Sequence, residues 1–344
     1  MAKRKAINVK KTLKTMAKAE VKTSEKKYDV SMMALTIVVV ITGFVMLSPN
    51  IKFPIAVKLI KADKIAEWGP ETGKNAMTGP TGAAVSPDNA FLYIASLGTD
   101  TIYKYKLPVK PGEKWQQAHA WGGKGDTPGK FNEPSGISVD KNGNIYIADA
   151  VNSRIQVFDE NAKFKFWIDY PKYGFYRTRN VFAGSKGMIY IADTGMNRIW
   201  KFDQAGNNIG NPAGFFGKGL GQFHGVFGLA ADSTGRIYAA DVQLAKIEVF
   251  SQDLISQAHF NVKASGDSLL AFDSQDRLYV VSPGTQEILV YNTKNKNKYI
   301  GTIRNDAGNN PLFIHPAGIA IDGLDNIYIT ESTKNTVLKI RPVF

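Results

Sequence analysis

Apolar and polar residues alternate in the stretch from Phe131 to Glu160 and predict three short strands there. Residues 135–140, 144–149 and 154–159 each carry β-branched or aromatic side chains at every second position. The breaks between them, Lys-Asn-Gly and Ala-Val-Asn-Ser, have the composition of tight turns. Because a lone three-stranded meander cannot bury both of its faces, we expect further copies of it along the chain.

Six copies can be aligned on one tyrosine in the second strand of this unit. The aligned residues are Tyr93, Tyr146, Tyr190, Tyr238, Tyr279 and Tyr328. Their spacings of 53, 44, 48, 41 and 49 residues are typical of the blades of a β-propeller. Three copies also have a glycine ten residues before the tyrosine. The sequence therefore predicts six copies of one structural unit.

Each copy continues into a third strand, and most have a fourth, for instance at 115–121, 163–168 and 298–303. The sixth copy has no fourth strand before Phe344, whereas an isolated strand at 64–69 precedes the first copy. We therefore predict an all-β fold, a six-bladed β-propeller of four-stranded antiparallel blades. The N-terminal strand should close the ring by pairing with the last blade.

Positive charge is concentrated at the N terminus of the 344-residue chain. The formal net charge is +13, and residues 1–28 hold ten Lys or Arg against two Glu, which leaves +5 on the rest. The repeat region is thus close to neutral, and we expect no nucleic-acid partner. Cysteine is absent, which excludes disulfides, thiolate metal sites and a cysteine nucleophile.

An apolar segment without any charge covers residues 30–48. As a helix it would span about 28 Å, close to the hydrocarbon thickness of a bilayer. We expect a single-pass, uncleaved signal anchor at 29–49, because the long basic region before it and the Leu-Ser-Pro-Asn after it differ from a cleaved signal peptide. By the positive-inside rule, 1–28 form a cytoplasmic tail, 50–62 a linker, and 63–344 a periplasmic or extracellular propeller.

The run Pro-x-Gly-Ile-x-Val-Asp, x-Gly-Asn-Ile-Tyr-Ile-Ala-Asp and Asn-x-Arg-Ile-x-Val-Phe resembles the NHL repeat. The pattern is clearest at 134–158 and degenerate at 79–105 and 266–291. The resemblance covers nearly all of 64–344 and implies a six-bladed β-propeller. The NHL-repeat family includes scaffolds, ligand binders and a few enzymes, so the resemblance leaves the function open.

Acidic residues recur near the predicted turns. Asp149, Asp193 and Asp241 each stand five residues before an Arg or a Lys. We interpret these as acid–base pairs that stabilise a hairpin, in preference to a ring of calcium ligands or catalytic carboxylates. A second set begins the other turns, and we assign it a turn role. Its members are Asp140, Asp232, Asp273 and Asp322.

No catalytic constellation is recognisable, so an enzyme is the less favoured interpretation. Related propeller lyases hold zinc through histidines directly before the glycine of the unit, and here that position never contains histidine. His224 and His315 lie in non-equivalent registers, two blades apart, and zinc normally takes three or four protein ligands. We therefore predict no catalytic residue, no metal site and no other cofactor.

The copies differ most in two loops, 169–179 and 215–224. Aromatic and arginine side chains in these loops are typical of interface anchors. The predicted partner-binding residues are Tyr170, Tyr173, Tyr176, Arg177, Arg179, Phe215, Phe216 and His224.

These features together predict a membrane-anchored, extracytoplasmic scaffold or accessory subunit of an envelope complex. Its expected partners are other membrane or envelope proteins, with the membrane itself bound through residues 30–48. Two alternatives remain open. One is an exported, metal-dependent lyase or lactonase-like enzyme, and the other is a sensor that binds a carbohydrate or another small molecule.

Overall fold

The computed structural model describes residues 58–69, 76–108, 113–169, 172–184, 186–241 and 243–344. The predicted cytoplasmic tail and the predicted anchor at 29–49 lie outside these residues, as does 50–57 of the predicted linker. Within the described ranges, no helix is both long and apolar enough to cross a membrane.

The described residues form six antiparallel sheets, which are the blades of a β-propeller. The strands of blades 1 to 3 are β2 (Pro80–Val85), β3 (Phe91–Ser96), β4 (Thr101–Lys106) and β5 (Gln116–Gly122), then β6 (Pro134–Val139), β7 (Ile145–Asp149), β8 (Arg154–Phe158) and β9 (Phe164–Asp169), then β10 (Thr178–Ala183), β11 (Met188–Asp193) and β12 (Arg198–Asp203). Those of blades 4 to 6 are β13 (Val226–Ala231), β14 (Ile237–Asp241), β15 (Lys246–Phe250) and β16 (Ser256–Asn261), then β17 (Leu270–Phe272), β18 (Arg277–Ser282), β19 (Glu287–Asn292) and β20 (Lys298–Ile303), then β21 (Pro316–Ile321), β22 (Ile327–Glu331), β23 (Thr336–Val343) and β1 (Lys61–Trp68). The predicted all-β, six-bladed architecture is confirmed.

Blade 3 departs from the four-stranded form. It has three regular strands, and two isolated antiparallel bridges within residues 199–213 take the place of the fourth. Gly206 and Gly210 adopt positive φ angles of 83° and 77°, and Pro212 has no N–H to donate to a ladder. A continuous strand cannot form through these three residues.

Strand β1 closes the ring. It pairs with β23 from Lys61 opposite Val343 to Trp68 opposite Val337, and so supplies the fourth strand of blade 6. This confirms the predicted closure by an N-terminal strand. Over this range the outer edge of β23 is covered, which removes a template for pairing with another chain.

The hydrophobic core lies between neighbouring blades. All five residues of β7 are buried. Tyr146 of this strand packs in one cluster with Val181 and Phe202 of blade 3, whereas Ile147 packs in another cluster with Tyr93 of blade 1. Successive side chains of a strand point to opposite faces, and both faces of this central strand are covered by a neighbouring blade.

The aligned tyrosine is held by the aspartate that begins the preceding turn. In blade 6, Asp322 Oδ2 accepts the Tyr328 hydroxyl at 2.9 Å, and Asp322 Oδ1 accepts the N–H groups of Leu324 and Asn326, each at 2.9 Å. The predicted turn role of the aspartates is thereby confirmed. The same tyrosine–aspartate hydrogen bond recurs in blades 2, 4 and 5 with Asp140, Asp232 and Asp273.

The first strands of the blades surround a central channel. A cavity of about 200 Å³ inside it is lined by residues of β2, β6, β10 and the other first strands. We call the end beside the turns between second and third strands the top face. The connections from one blade to the next reach the same face. The opposite end, which carries the turns between first and second strands, is the bottom face.

Aspartates in tight turns also join neighbouring blades. On the bottom face, Asp276 accepts the N–H of Ser233 at 2.8 Å, and Asp325 accepts that of Ser274 at 2.9 Å. On the top face, Asp100 accepts the N–H of Glu133 at 2.8 Å. The three aspartates have φ angles of 59°, 59° and 48°, a left-handed conformation that aspartate adopts more readily than most residues.

Candidate functional site

Two of the predicted acid–base pairs stabilise hairpins on the top face. Arg154 Nε lies 2.7 Å from Asp149 Oδ2, and Arg198 Nε lies 2.8 Å from Asp193 Oδ2. Both carboxylates are fully buried. Burial raises the pKa of Asp193, although Arg198 acts to lower it. These two carboxylates stabilise their hairpins, as the sequence predicts.

The third predicted pair, between Asp241 and Lys246, does not form. Lys246 Nζ lies 2.6 Å from Glu248 Oε1 instead, and Asp241 Oδ2 accepts the N–H of His224 at 2.8 Å. The residue two positions after the base explains the difference. In blade 2 this residue is Gln156, which donates to the aspartate of its own blade. In blade 4 it is Glu248, which can only accept, and it binds the lysine itself.

The buried Lys246–Glu248 pair also holds the loop 215–224. Lys246 Nζ donates to the backbone oxygen of Gln222 at 2.8 Å, and the N–H of Gly221 donates to Glu248 Oε2 at 2.9 Å. The lysine and glutamate side chains are only 5% and 0% exposed. Because hydrogen bonds shielded from water are strong, this loop has a well-defined conformation.

We use the name aromatic rim for four of the predicted partner-binding residues on the top face: Tyr176, Phe215 and Phe216, which are exposed, and His224, which is half-buried. Phe215 and Phe216 are 61% and 69% exposed. The His224 ring stacks on Phe216 with 4.4 Å between centroids and 4° between planes. Tyr176 is 56% exposed, and its ring lies against the backbone of Gly195. Exposed aromatic groups of this kind are typical of interaction surfaces.

The other residues of the predicted loop have different surroundings. Tyr173 packs edge-on against Phe202, 4.9 Å between centroids, at the border of the blade 3 core. Arg177 has a φ of 53°, and its N–H donates to Ser153 Oγ at 3.1 Å, while its side chain is exposed. Tyr170 lies outside the described residues.

Arg179 lines a cavity of about 400 Å³ at the top end of the channel, which we call the central cavity. Part of its wall consists of the residues that precede the first-strand glycine, or its equivalent, in five blades. They are Thr81, Ser135, Arg179, Phe227 and Ala317. The rest of the wall includes Leu97, Asp267, Leu269, Pro283, His315 and Ser332. Apolar walls with a few polar groups and this volume are typical of ligand sites.

The charged groups of the central cavity differ in their pairing. Arg179 Nη2 lies 3.3 Å from Glu133 Oε2, and His315 Nδ1 lies 2.8 Å from Ser332 Oγ. Asp267 has no hydrogen bond or ion pair within the part of the chain that the structure describes. The surrounding walls partly desolvate its carboxylate and raise its pKa, an effect that the charges of Arg179 and His315 oppose.

A buried glutamate lies behind this wall. Glu331 Oε2 accepts the N–H groups of Ile314 and His315 at 3.1 and 2.9 Å. The other oxygen, Oε1, is buried and has no partner among the described residues. Burial raises the pKa of Glu331, and the two backbone donors offset this only in part.

Phe227 and Asp267 were not predicted as site residues. Phe227 stands directly before Gly228, and Asp267 stands two residues before the equivalent Leu269. The register of the repeats therefore contains the signal that places both at the mouth of the channel. Across the described ranges, no group of three or more histidine and acidic residues is placed to hold a metal ion.

The opposite end of the channel has a cavity of about 430 Å³ on the bottom face. The carboxylates in its wall already have partners. For example, Asp232 lies 2.7 Å from Arg236 Nη2, and Asp276 lies 3.2 Å from Lys294 Nζ. The acidic residues of this wall are Asp232, Asp273, Asp276, Asp322 and Asp325.

Comparisons with known proteins agree with the architecture. Residues 131–158 match the NHL repeat. The chain is also similar to Protein brain tumor of Drosophila melanogaster, with 28% identity over 160 residues, which are 44% of this chain and 15% of that protein. The chain therefore spans a small part of the length of this relative. Together with the six blades, these matches support the resemblance to NHL-repeat propellers.

Two solved structures share the fold over most of this chain. A streptogramin B lyase has a TM-score of 0.59 at 12% identity, and the alignment covers 83% of this chain and 98% of the lyase. Virginiamycin B lyase from Staphylococcus aureus has a TM-score of 0.57 at 16% identity, covering 83% of this chain and 100% of the lyase. At such low identity the likeness shows the fold alone.

Proposed function

We propose that this protein is a membrane-tethered propeller that works outside the cytoplasm as a scaffold or accessory subunit and binds another envelope protein through the aromatic rim. The observation that carries the proposal is the exposure of Phe215 and Phe216 on a loop held by the buried Lys246–Glu248 pair. A preorganised apolar surface loses little conformational freedom on binding, so more of its contact energy contributes to affinity.

The loops of the rim also carry exposed positive charge. The side chains of Arg177 and Lys218 are exposed, and neither forms an ion pair within the described ranges. A surface of aromatic rings beside cations is complementary to an apolar depression edged by carboxylates. We therefore propose a protein partner that presents such a depression.

The rim proposal is tested by photo-cross-linking in the native membrane. Benzoylphenylalanine replaces Phe216 in the full-length protein, and a matched control replaces Leu324, which is 73% exposed on the bottom face. We expect one discrete adduct from position 216 and none from position 324. Adducts of equal yield from both positions, or no adduct from position 216, would show that the rim is not the partner site.

The tether at residues 30–48 is tested separately by fractionation. We expect the full chain to stay in the membrane fraction after alkaline extraction and its propeller to be digested by protease added outside the cytoplasm. A variant without 29–49 should be extracted. If the full chain is released by alkali, or if protease reaches the propeller only after lysis of the cytoplasmic compartment, the proposed location is wrong.

A further inference from the structure

The central cavity differs from the aromatic rim in both shape and charge. Residues of all six blades line it, and its volume of about 400 Å³ fits a small molecule or a single inserted side chain. Phe227 and Leu269 in its wall are each 8% exposed, and Leu97 and Pro283 add further apolar surface. The body of a ligand that fills it should therefore be apolar.

The charge in the cavity selects the polar end of such a ligand. The positive charge of Arg179 is matched by Glu133 at 3.3 Å. Asp267 is the one carboxylate in the cavity wall, and it forms no direct ion pair or hydrogen bond within the described chain, although Arg179 and His315 act on it from a longer distance. Asp267 is exposed to the cavity, so its carboxylate is accessible to a cation brought in by a ligand, and the apolar walls around it would strengthen that pair.

We propose that the central cavity binds an organic cation, an amine or guanidine on an apolar body, with Asp267 as its counter-ion. The cation can come from a free amine or from a lysine or arginine side chain of an inserted peptide, and the chemistry of recognition is shared. The inference does not depend on the aromatic rim, since no residue of the rim lines this cavity.

Calorimetric titration of the full-length protein in mild detergent tests the charge requirement. The probes are phenethylamine and its neutral counterpart 2-phenylethanol. We expect the amine to bind at least about tenfold more tightly than the alcohol, because only the amine can pair with Asp267. D267N should abolish this difference. The control D63N changes an exposed, unpaired carboxylate on β1, outside the cavity, and should leave it intact.

A second variant and a pH series check the same assignment. E133Q removes the negative partner of Arg179, so the charge of Arg179 acts more strongly on Asp267 and amine affinity should fall by about threefold or more. Amine affinity of the wild type should also fall as the pH is lowered through the raised pKa of Asp267. His315 is the other titratable group that acts on this carboxylate. The H315N variant should therefore show the same loss of amine affinity as the pH is lowered.

The source of the cation is resolved by a third probe, acetyl-Leu-Lys-Leu-amide, with norleucine in place of lysine as its control. Tighter binding of the lysine peptide than of phenethylamine assigns the cavity to an inserted side chain, and the reverse order assigns it to a free amine. The proposal is overturned if no cationic probe binds at millimolar concentration, or if D267N binds the cations as well as wild type does. Either result leaves the cross-linking test of the rim unaffected.

Discussion

The turn aspartates of the bottom face and Asp267 of the top face use the same residue type in opposite ways. On the bottom face, the carboxylate of Asp322 accepts hydrogen bonds from its own turn and from Tyr328, and the equivalent aspartates of three other blades do the same. On the top face, Asp267 lines the central cavity with no partner in the described chain. The fold therefore uses the carboxylates of the four bottom-face aspartates and leaves that of Asp267 without a direct partner in the described ranges.

This difference shows which residues of a repeat protein are free to differ between its copies. Bottom-face aspartates recur in four blades because each fixes its turn against the following strand, so their substitution should cost stability. The top-face connections between blades share one hydrogen bond, from a backbone N–H such as that of Asn132, Tyr176 or His224 to the side chain that ends the second strand, but their other residues differ from blade to blade. Removal of the strand that closes the ring, and substitutions at each end of the channel, test this separation.

Deletion of residues 58–69 should have the largest effect, because it removes β1 and exposes the edge of β23. We expect loss of the cooperative thermal transition of the whole propeller, measured by circular dichroism and calorimetry. Replacing the exposed Asp63 and Ile65 of the same strand by serine is the control and should leave the transition in place. A deletion variant that is monomeric and melts cooperatively would falsify closure by β1.

One substitution at each end of the channel measures how much the two carboxylates contribute to stability. D322A leaves two backbone N–H groups and the buried Tyr328 hydroxyl without their acceptor, and should lower the free energy of unfolding by about 3 kcal/mol. D267A removes no hydrogen bond in the described chain and should change it by less than about 0.5 kcal/mol. Denaturant titration measures both. Equal losses would show that the two carboxylates do not differ as described.

Hydrogen bonds between blades should contribute less than those within a turn. D276A removes the acceptor for the N–H and hydroxyl of Ser233 in the neighbouring blade, at 2.8 and 2.7 Å. We expect a loss of about 1–2 kcal/mol in denaturant titration. D276N retains an oxygen acceptor and should recover part of the loss. A loss in D276A as large as in D322A would contradict this order.

Glu331 gives the top face a pH-dependent stability. Its pKa in the folded state is raised above 4.5, so the stability that the neutral form contributes is present below pH 4.5 and is lost as the pH rises through the raised value. E331Q has no charge to bury, and its carbonyl oxygen can still accept the two N–H groups. We expect the stability of E331Q relative to wild type to increase from pH 4 to pH 7. A constant difference would show that Glu331 is not the titrating group.

The aromatic rim should affect stability least. Phe215 and Phe216 are mostly exposed, so F215S and F216S together should change the free energy of unfolding by less than about 0.5 kcal/mol. The buried Phe223 of the same loop is the matched control, and F223A should cost about 3–4 kcal/mol. A large loss from the rim substitutions would mean that the two rings pack in the core.

The fold could be predicted because its signals repeat. Six copies of one tyrosine strand fix the number of blades, and the unpaired strand near residue 64 identifies the closing strand. Blade 3 could not be predicted as fully, since the effect of Gly206 and Pro212 on a fourth strand depends on local φ angles. The predicted pairing of Asp241 with Lys246 was wrong because the five-residue spacing does not account for the competing carboxylate of Glu248.

The site was predicted only in part. The aromatic rim was accessible from the sequence because its residues lie in two loops that differ from the other copies. The central cavity was not, because its wall takes one or two residues from each of several blades that are far apart in sequence. The sequence assigns Arg179 to the loop 169–179. In the structure it lines the central cavity, and its ion pair with Glu133 joins blades 2 and 3.

Closure by β1 also has a consequence for the order of events during synthesis. β1 is the first strand of the propeller to leave the ribosome, and its partner β23 is the last. Contacts between such distant segments form slowly, so β1 must wait unpaired while five blades are made. Its exposed charged residues, among them Lys61, Asp63 and Lys64, would discourage pairing with other chains during this interval.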